Sequence, residues 1–303
     1  MALWRRTRSG IAAVHRTMTP AAALVALHVA VALFGFAGLF GKWLAWDPVA
    51  IVLGRTIVAA AVLGLISVIR PSERGGPTLA LAGNGVILAV HWVAFFAAIQ
   101  KSTVAIGLLG FASFPLFVIV LECVLLGVRW RGPEAATATL VVAGLALLVP
   151  EFTLADRTVH GLAWGVLSAF TFAWLTVRNR ALGNARPPMA VALWQNAFAA
   201  LCVAPLVFRS GGPAVAITPT TLALIVVLGA VCTALAHTLF IASLSRLSAH
   251  TASVVTSLES VYGIVLAALL LAEIPDARTC FGGALLVGAA IAASRRAARP
   301  ADP

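Results

Sequence analysis

Charge is what this sequence has least of. Only 10% of its 303 residues are Asp, Glu, Lys or Arg, against roughly 25% in a soluble domain. With 61% hydrophobic residues and a mean hydropathy of +1.03, the chain cannot cover a water-facing surface, which excludes a soluble globular protein. Acidic residues are scarcest: 10 against 21 basic ones, a formal charge of +11. In a soluble protein that balance would point to nucleic acid. Here the basic residues sit in short loops and tails between apolar runs, so no nucleic-acid partner is expected. The four cysteines (Cys123, Cys202, Cys232 and Cys280) lie inside apolar runs without C-x-x-C spacing. That excludes a signalled zinc site or disulfide framework and leaves buried free thiols. There is no H-E-x-x-H, no P-loop and no G-x-S-x-G. Neither an enzyme, a cofactor, a bound metal nor direct use of ATP is expected.

What the chain has is apolar runs of spanning length. About 20 apolar residues cross a bilayer as a helix, and such runs lie near residues 21–42, 48–69, 78–100, 102–127, 134–150, 159–178, 188–208, 219–244, 247–272 and 277–294. The first is too long for a signal peptide and lacks a small-residue cleavage site. Asp47-Pro48, the stretch from Pro71 to Pro77, Gly132-Pro133, Pro187-Pro188, Gly211-Gly212-Pro213 and Ile274-Pro275 supply the turns. The expectation is an all-α polytopic membrane protein of ten spans, its partner the lipid bilayer. Orientation follows from Lys and Arg. With the N-terminus in the cytoplasm, the inner segments hold Arg5, Arg6, Arg8, Arg16, Arg70, Arg74, Arg129, Arg131, Arg178, Arg180, Arg186, Arg246, Arg295, Arg296 and Arg299. The outer ones hold only Lys42, Lys101, Arg157, Arg209 and Arg278. Both termini are therefore expected inside, and Arg55 is left within a span.

The chain also repeats itself. Phe95 to Glu122 returns, diverged, at Phe240 to Ala267: Phe95 pairs with Phe240, Ala97 with Ala242, Ile99 with Leu244 and Lys101 with Arg246. FGFAGLFGK at Phe34 to Lys42 likewise aligns with FTFAWLTVR at Phe170 to Arg178. The expected organisation is a cytoplasmic tail (1–20), a first five-helix repeat (21–150), a second (159–294) and a second tail (295–303). Because five is odd, the two halves must run in opposite directions. Such inverted-topology repeats characterise alternating-access transporters, whose substrate site lies between the halves.

The junctions Ala97 to Lys101 and Ala242 to Arg246, the segments Phe114 to Phe117 and Leu258 to Tyr262, and the tail GALLVGAAIAAS at Gly283 to Ser294 resemble the drug/metabolite transporter superfamily of EamA type. The likeness runs from Ala21 to Ser294 and is greatest to bacterial inner-membrane exporters of aromatic and other neutral amino acids. It implies a central cavity lined by the first, third and fourth helices of each half, a small-molecule substrate and a place in the inner membrane; it does not fix the oligomeric state, for which a monomer is one option. Ser260 stands where the family often has proline, so a softer kink is expected in the ninth span. Gly127-Val128 replaces the family's Gly-Glu, which Ala272-Glu273 keeps in its acidic part.

Ionisable groups at mid-membrane cost about 2.5–3.5 kcal/mol each for Asp, Lys or Arg, so those present are candidates for function. Glu259 lies near mid-depth and needs a partner, a proton or a water-filled space; Arg55 is one conceivable helix-packing partner. Glu122 lies near a helix end and can reach the headgroups. His91 and His237 fall one register step apart in the repeat, both towards the interface between halves. Asn84 shares a helical face with His91. Trp92, Trp164, Trp174 and Tyr262 are candidate cavity walls, Ser168 shares a face with Trp164, and Trp43, Trp46 and Trp130 are membrane-interface anchors. Gly161 and Gly165 form a close-packing G-x-x-x-G pair. Pro115 breaks the fourth span's hydrogen bonding, and with Gly107 and Gly110 is a candidate hinge. The function expected is export of amino acids and related small metabolites by alternating access. The alternatives are a lipid-linked sugar flippase or drug exporter, and an intramembrane enzyme built on His91, His237 and Glu259.

Overall fold

The computed structural model describes residues 18–127, 139–140, 143–147, 156–183, 185–209 and 217–297, and all regular structure among them is helical. The first half gives α1 (Pro20–Trp43), α2 (Pro48–Ile69), α3 (Leu79–Lys101), α4 (Val104–Phe111) and α5 (Phe114–Leu126). The second gives α6 (Arg157–Gly183), α7 (Pro188–Arg209), α8 (Pro219–Gly229), a π-helical segment (Ala230–Leu235), α9 (Ala236–Ser243), α10 (Ala249–Thr256), α11 (Leu258–Leu271) and α12 (Ala277–Ala297). Eight helical stretches among the described residues are long and apolar enough to span a membrane, α4–α5, α8–α9 and α10–α11 each counting as one. Most of the expected fifth span lies outside the described residues, as does Trp130, and α12 occupies the place of the tenth.

The starts of these helices are written in short-range chemistry. Thr19, Asp47, Thr78, Thr103 and Ser248 each accept a backbone N–H from the first turn they precede, satisfying donors that have no partner inside the helix. Proline opens α1 and α2, where a missing N–H costs nothing. Asp276 does the same before α12, and side-chain and backbone hydrogen bonds from Thr279 hold its carboxyl below the usual carboxylate range. Leu65, Val68, Phe208 and Leu269 are among the large apolar side chains left exposed, as a lipid-facing surface requires.

The principal contacts join one half to the other. α1 packs on α9 and α11, α2 on α7, α3 on α6 and α7, and α4 with α5 on α6. Exchanging the halves maps α1 on α11 onto α6 on α5, so the packing obeys a pseudo-two-fold. A single core runs through the interface, from Leu27 and Phe34 in α1 to Phe172 in α6 and Phe240 in α9. At one end, Lys42 donates to the Ser102 carbonyl (2.7 Å) and lies 3.6 Å from Glu273, whose other oxygen accepts the Val104 N–H that begins α4 (2.8 Å). Glu122 pairs with Arg180 of α6 at 3.9 Å.

The fourth span is broken outright. α4 ends at Phe111, and Pro115 falls in the first turn of α5. Its repeat mate, the ninth span, breaks too, at Ser257 between α10 and α11. The interruption is one residue shorter than in its mate, and Ser257 keeps helical dihedrals and a bond from its N–H to the Ser253 carbonyl. Ser257 turns its hydroxyl back onto the Ser253 carbonyl, and Ser260 donates across to the Leu108 carbonyl at 2.7 Å. Trp46, expected at the membrane surface, is buried, and Cys280, expected buried, is exposed.

Candidate functional site

Between the halves lies a small cavity with a buried wall that combines four ionisable residues with aromatic rings: Arg55, His91, His237 and Glu259 among Phe34, Trp92, Phe95, Phe111 and Phe172. Ala37 completes it. The space open to the centres of water-sized molecules is about 20 Å³, room for about one or two waters. Rings fill the rest. Phe172 lies 5.0 Å from Phe240 and 5.2 Å from Phe114 between centroids, and Phe34 lies 5.9 Å from Phe240.

Each charged or polar group is held by a different device. Arg55, in α2, reaches the π segment: its Nε donates to Thr233 Oγ1 at 2.9 Å and its Nη2 to the Cys232 carbonyl at 3.3 Å. The guanidinium lies 4.1 Å from the Trp92 ring centroid and 5.3 Å from that of Phe96, close enough for cation–π attraction. In the π segment, Thr233 Oγ1 donates to the Leu228 carbonyl five residues back. Single-turn π insertions recur at functional sites because they re-aim backbone and side chains. Glu259 sits in the first turn of α11, after the break. There α1 comes so close that a Cβ on Gly35 would meet the Glu259 carbonyl oxygen at 2.9 Å. The Glu259 side chain is 3% exposed, and no hydrogen bond or ion pair joins it to another described residue.

His91 Nδ1 lies 2.9 Å from both the carbonyl and the hydroxyl of Ser168. A carbonyl oxygen only accepts, so Nδ1 carries the proton and Nε2 of the neutral ring is the acceptor. His91 stacks on Phe172 at 4.7 Å. His237 Nδ1 lies 3.3 Å from Asn196 Nδ2, while its Nε2 and Asn196 Oδ1 are buried without a hydrogen-bond partner. Trp92 stands between the histidines, 6.4 Å from His91 and 5.8 Å from His237. No group of three or more His, Cys, Asp or Glu among the described residues could hold a metal.

Of the side chains singled out in the sequence, His91, Trp92, His237 and Glu259 meet at this cavity, and Ser168 supports His91 from behind. Asn84 stands apart, in an amide network where it accepts from Arg178 and donates to Asn179, itself bonded to Gln195. Trp164 is half-buried and not on the cavity wall; Trp174 and Tyr262 are half-buried against the central core. Gly107 and Gly110 lie against α6, where a Cβ on Gly165 would come within 2.7 Å of the Gly107 carbonyl. The wall residues not anticipated are the phenylalanines, Ala37, and Arg55 in its present role. Arg55 was visible as the lone arginine inside a span, and its presence adds the second helix to the wall.

A helical protein of this topology, with buried ionisable groups gathered between two inverted halves, has the build of a multi-pass membrane transporter. The chain belongs to the EamA-like transporter family, which matches residues 21–149 and 159–295. It is 29% identical over 231 residues to the pseudopaline exporter CntI of Pseudomonas aeruginosa, a match covering 74% of this chain and 77% of that one. It is 24% identical over 203 residues to the uncharacterized transporter YwfM of Bacillus subtilis, covering 67% and 68%. A crystal structure of a protein 21% identical shares the fold at a TM-score of 0.71, over 93% of this chain and 100% of the other.

Proposed function

We propose that this protein is a secondary transporter or facilitator that exports amino acids, aromatic and other neutral ones, and related small metabolites across the bacterial inner membrane. It would do so by alternating access, with both termini cytoplasmic. The observation that carries this reading is the set of buried polar groups at the interface between halves, lined by rings suited to an apolar side chain. Family membership and the likeness to an exporter of another small metabolite support it. The cavity as it stands is small, so a substrate enters only after the rings of α1, α4 and α6 move apart. The broken α4–α5 and α10–α11 spans, with Gly107, Gly110 and Pro115, are the proposed places of bending.

The test is flux. Proteoliposomes holding the purified protein are expected to release preloaded labelled amino acids faster than empty liposomes. No flux of any amino acid would overturn the reading. A second reading, export of a drug or lipid-linked molecule, is favoured by an apolar groove on the flank of α4, α11 and α12, lined by Leu109, Val261, Ile264 and Val265. Competition by lipid-linked sugars but not by free amino acids would select it.

A further inference from the structure

We propose that the centre recognises its cargo as a zwitterion: Arg55 receives a carboxylate, Glu259 an ammonium group, and the rings around them an apolar body. This rests on the export reading above and assigns two binding roles to the amino-acid cargo that it names.

The first observation is what remains free on Arg55. A guanidinium carries five N–H groups. Nε and one N–H of Nη2 are engaged by Thr233 and Cys232, adjacent residues that occupy one edge of the fork. Arg55 lines the cavity, and among the described residues no hydrogen bond engages its Nη1, which leaves the end-on edge between Nη1 and Nη2 for a cargo. Because Trp92 and Phe96 hold the plane and the π segment holds the other edge, that fork is fixed before any cargo arrives. A fixed planar fork is the geometry that takes a carboxylate through two parallel hydrogen bonds.

The second observation is Glu259. It is buried, it faces the same cavity, and it makes no ion pair within 4 Å; among the described residues, ion pairs join Lys42 to Glu273 and Arg180 to Glu122. A carboxylate acceptor and a guanidinium donor thus face one space from opposite halves, α2 and α11, and neither satisfies the other directly.

The charge that a cargo brings with it then narrows the class. A zwitterion is neutral as a whole, so its loading adds no net charge to the interior, while its two ends meet a donor fork and a carboxyl group that do not satisfy each other. A cargo with only one charge brings a net charge into a site walled by apolar rings, which disfavours it. The walls add the remaining requirement: Phe34, Phe95, Phe111 and Phe172 offer faces and edges to an apolar side chain and no hydrogen bonds.

The test uses the wild-type protein in liposomes. Labelled phenylalanine flux is competed by unlabelled phenylalanine, by phenethylamine (no carboxylate) and by 3-phenylpropionate (no ammonium). Both one-charge analogues are expected to compete at least about tenfold more weakly than phenylalanine. Arg55→Lys keeps the charge and loses the fork; it should weaken competition by phenylalanine and leave phenethylamine unchanged. If either analogue competes as well as phenylalanine while flux is intact, or if Arg55→Lys weakens both ligands equally, the assignment is overturned and the export reading stands. If phenylalanine and all other amino acids show no flux, both fall.

Discussion

Ala272 occupies the left-handed region at φ 55°, the only non-glycine among the described residues to do so. Its repeat mate is Gly127, which ends α5 at φ 68° just as Ala272 ends α11. A Cβ in that conformation crowds the following carbonyl and costs about 1–2 kcal/mol. The turn it enforces carries the chain to Glu273, whose carboxylate caps α4 and approaches Lys42. The strain therefore sits where the halves are pinned together. Ala272→Gly is expected to raise stability by about 1 kcal/mol, seen as a higher unfolding midpoint in detergent; an unchanged or lowered midpoint would contradict the strain. The pairing of Gly127 with Ala272 was visible in the sequence, but the sign of φ was not, because alanine carries no preference for a positive value. Arg55 had the same ambiguity. An arginine inside a span announces a cost, yet its anchor is a π insertion that shifts hydrogen bonding from four to five residues and leaves the apolar pattern untouched.

At the scale of helices, the first four spans were legible to within about two residues from their apolar runs, and the structure shows that their starts are chemical. Thr19, Asp47 and Thr78 stand one residue before the helices α1, α2 and α3, which begin within one residue of the runs read at 21–42, 48–69 and 78–100. The interior breaks were half legible. Pro115 marks one of them, whereas nothing in Ser253, Ser257 and Ser260 distinguishes hydroxyls that merely bond their own helix from hydroxyls that accompany its interruption. The glycines of α4 and α6 show how tightly these pieces are joined. A Cβ on Gly165 would lie 2.9 Å from the Gly110 Cα and 2.7 Å from the Gly107 carbonyl oxygen, so only glycine lets the two backbones meet. Gly165→Ala is expected to push α4 from α6 and cost about 1–3 kcal/mol, read as a lower unfolding midpoint with reduced flux. Gly64, with open space around its Cβ direction, provides the control: Gly64→Ala should not lower the midpoint. A Gly165→Ala protein as stable as the parent would remove this contact from the argument.

At the scale of the molecule, the two halves are not lobes resting side by side. α1 through α5 are threaded among α6 through α11, and the core is continuous across the boundary. The sequence disclosed the repeat and its odd number of spans, hence the inversion. It could not disclose that rings fill the centre, because Phe34, Phe111 and Phe172 read identically whether they face lipid, a solvent-filled chamber or one another. The aromatic plug governs more than cargo. The central cavity among the described residues has room for only a water or two, too few to form a file of solvent through the centre for protons to hop along. Vesicles carrying the empty carrier should hold an imposed pH step about as long as bare ones; rapid collapse of that step would show that the plug leaks. A cell could then keep many idle copies in its energised membrane without short-circuiting the gradient from which it lives.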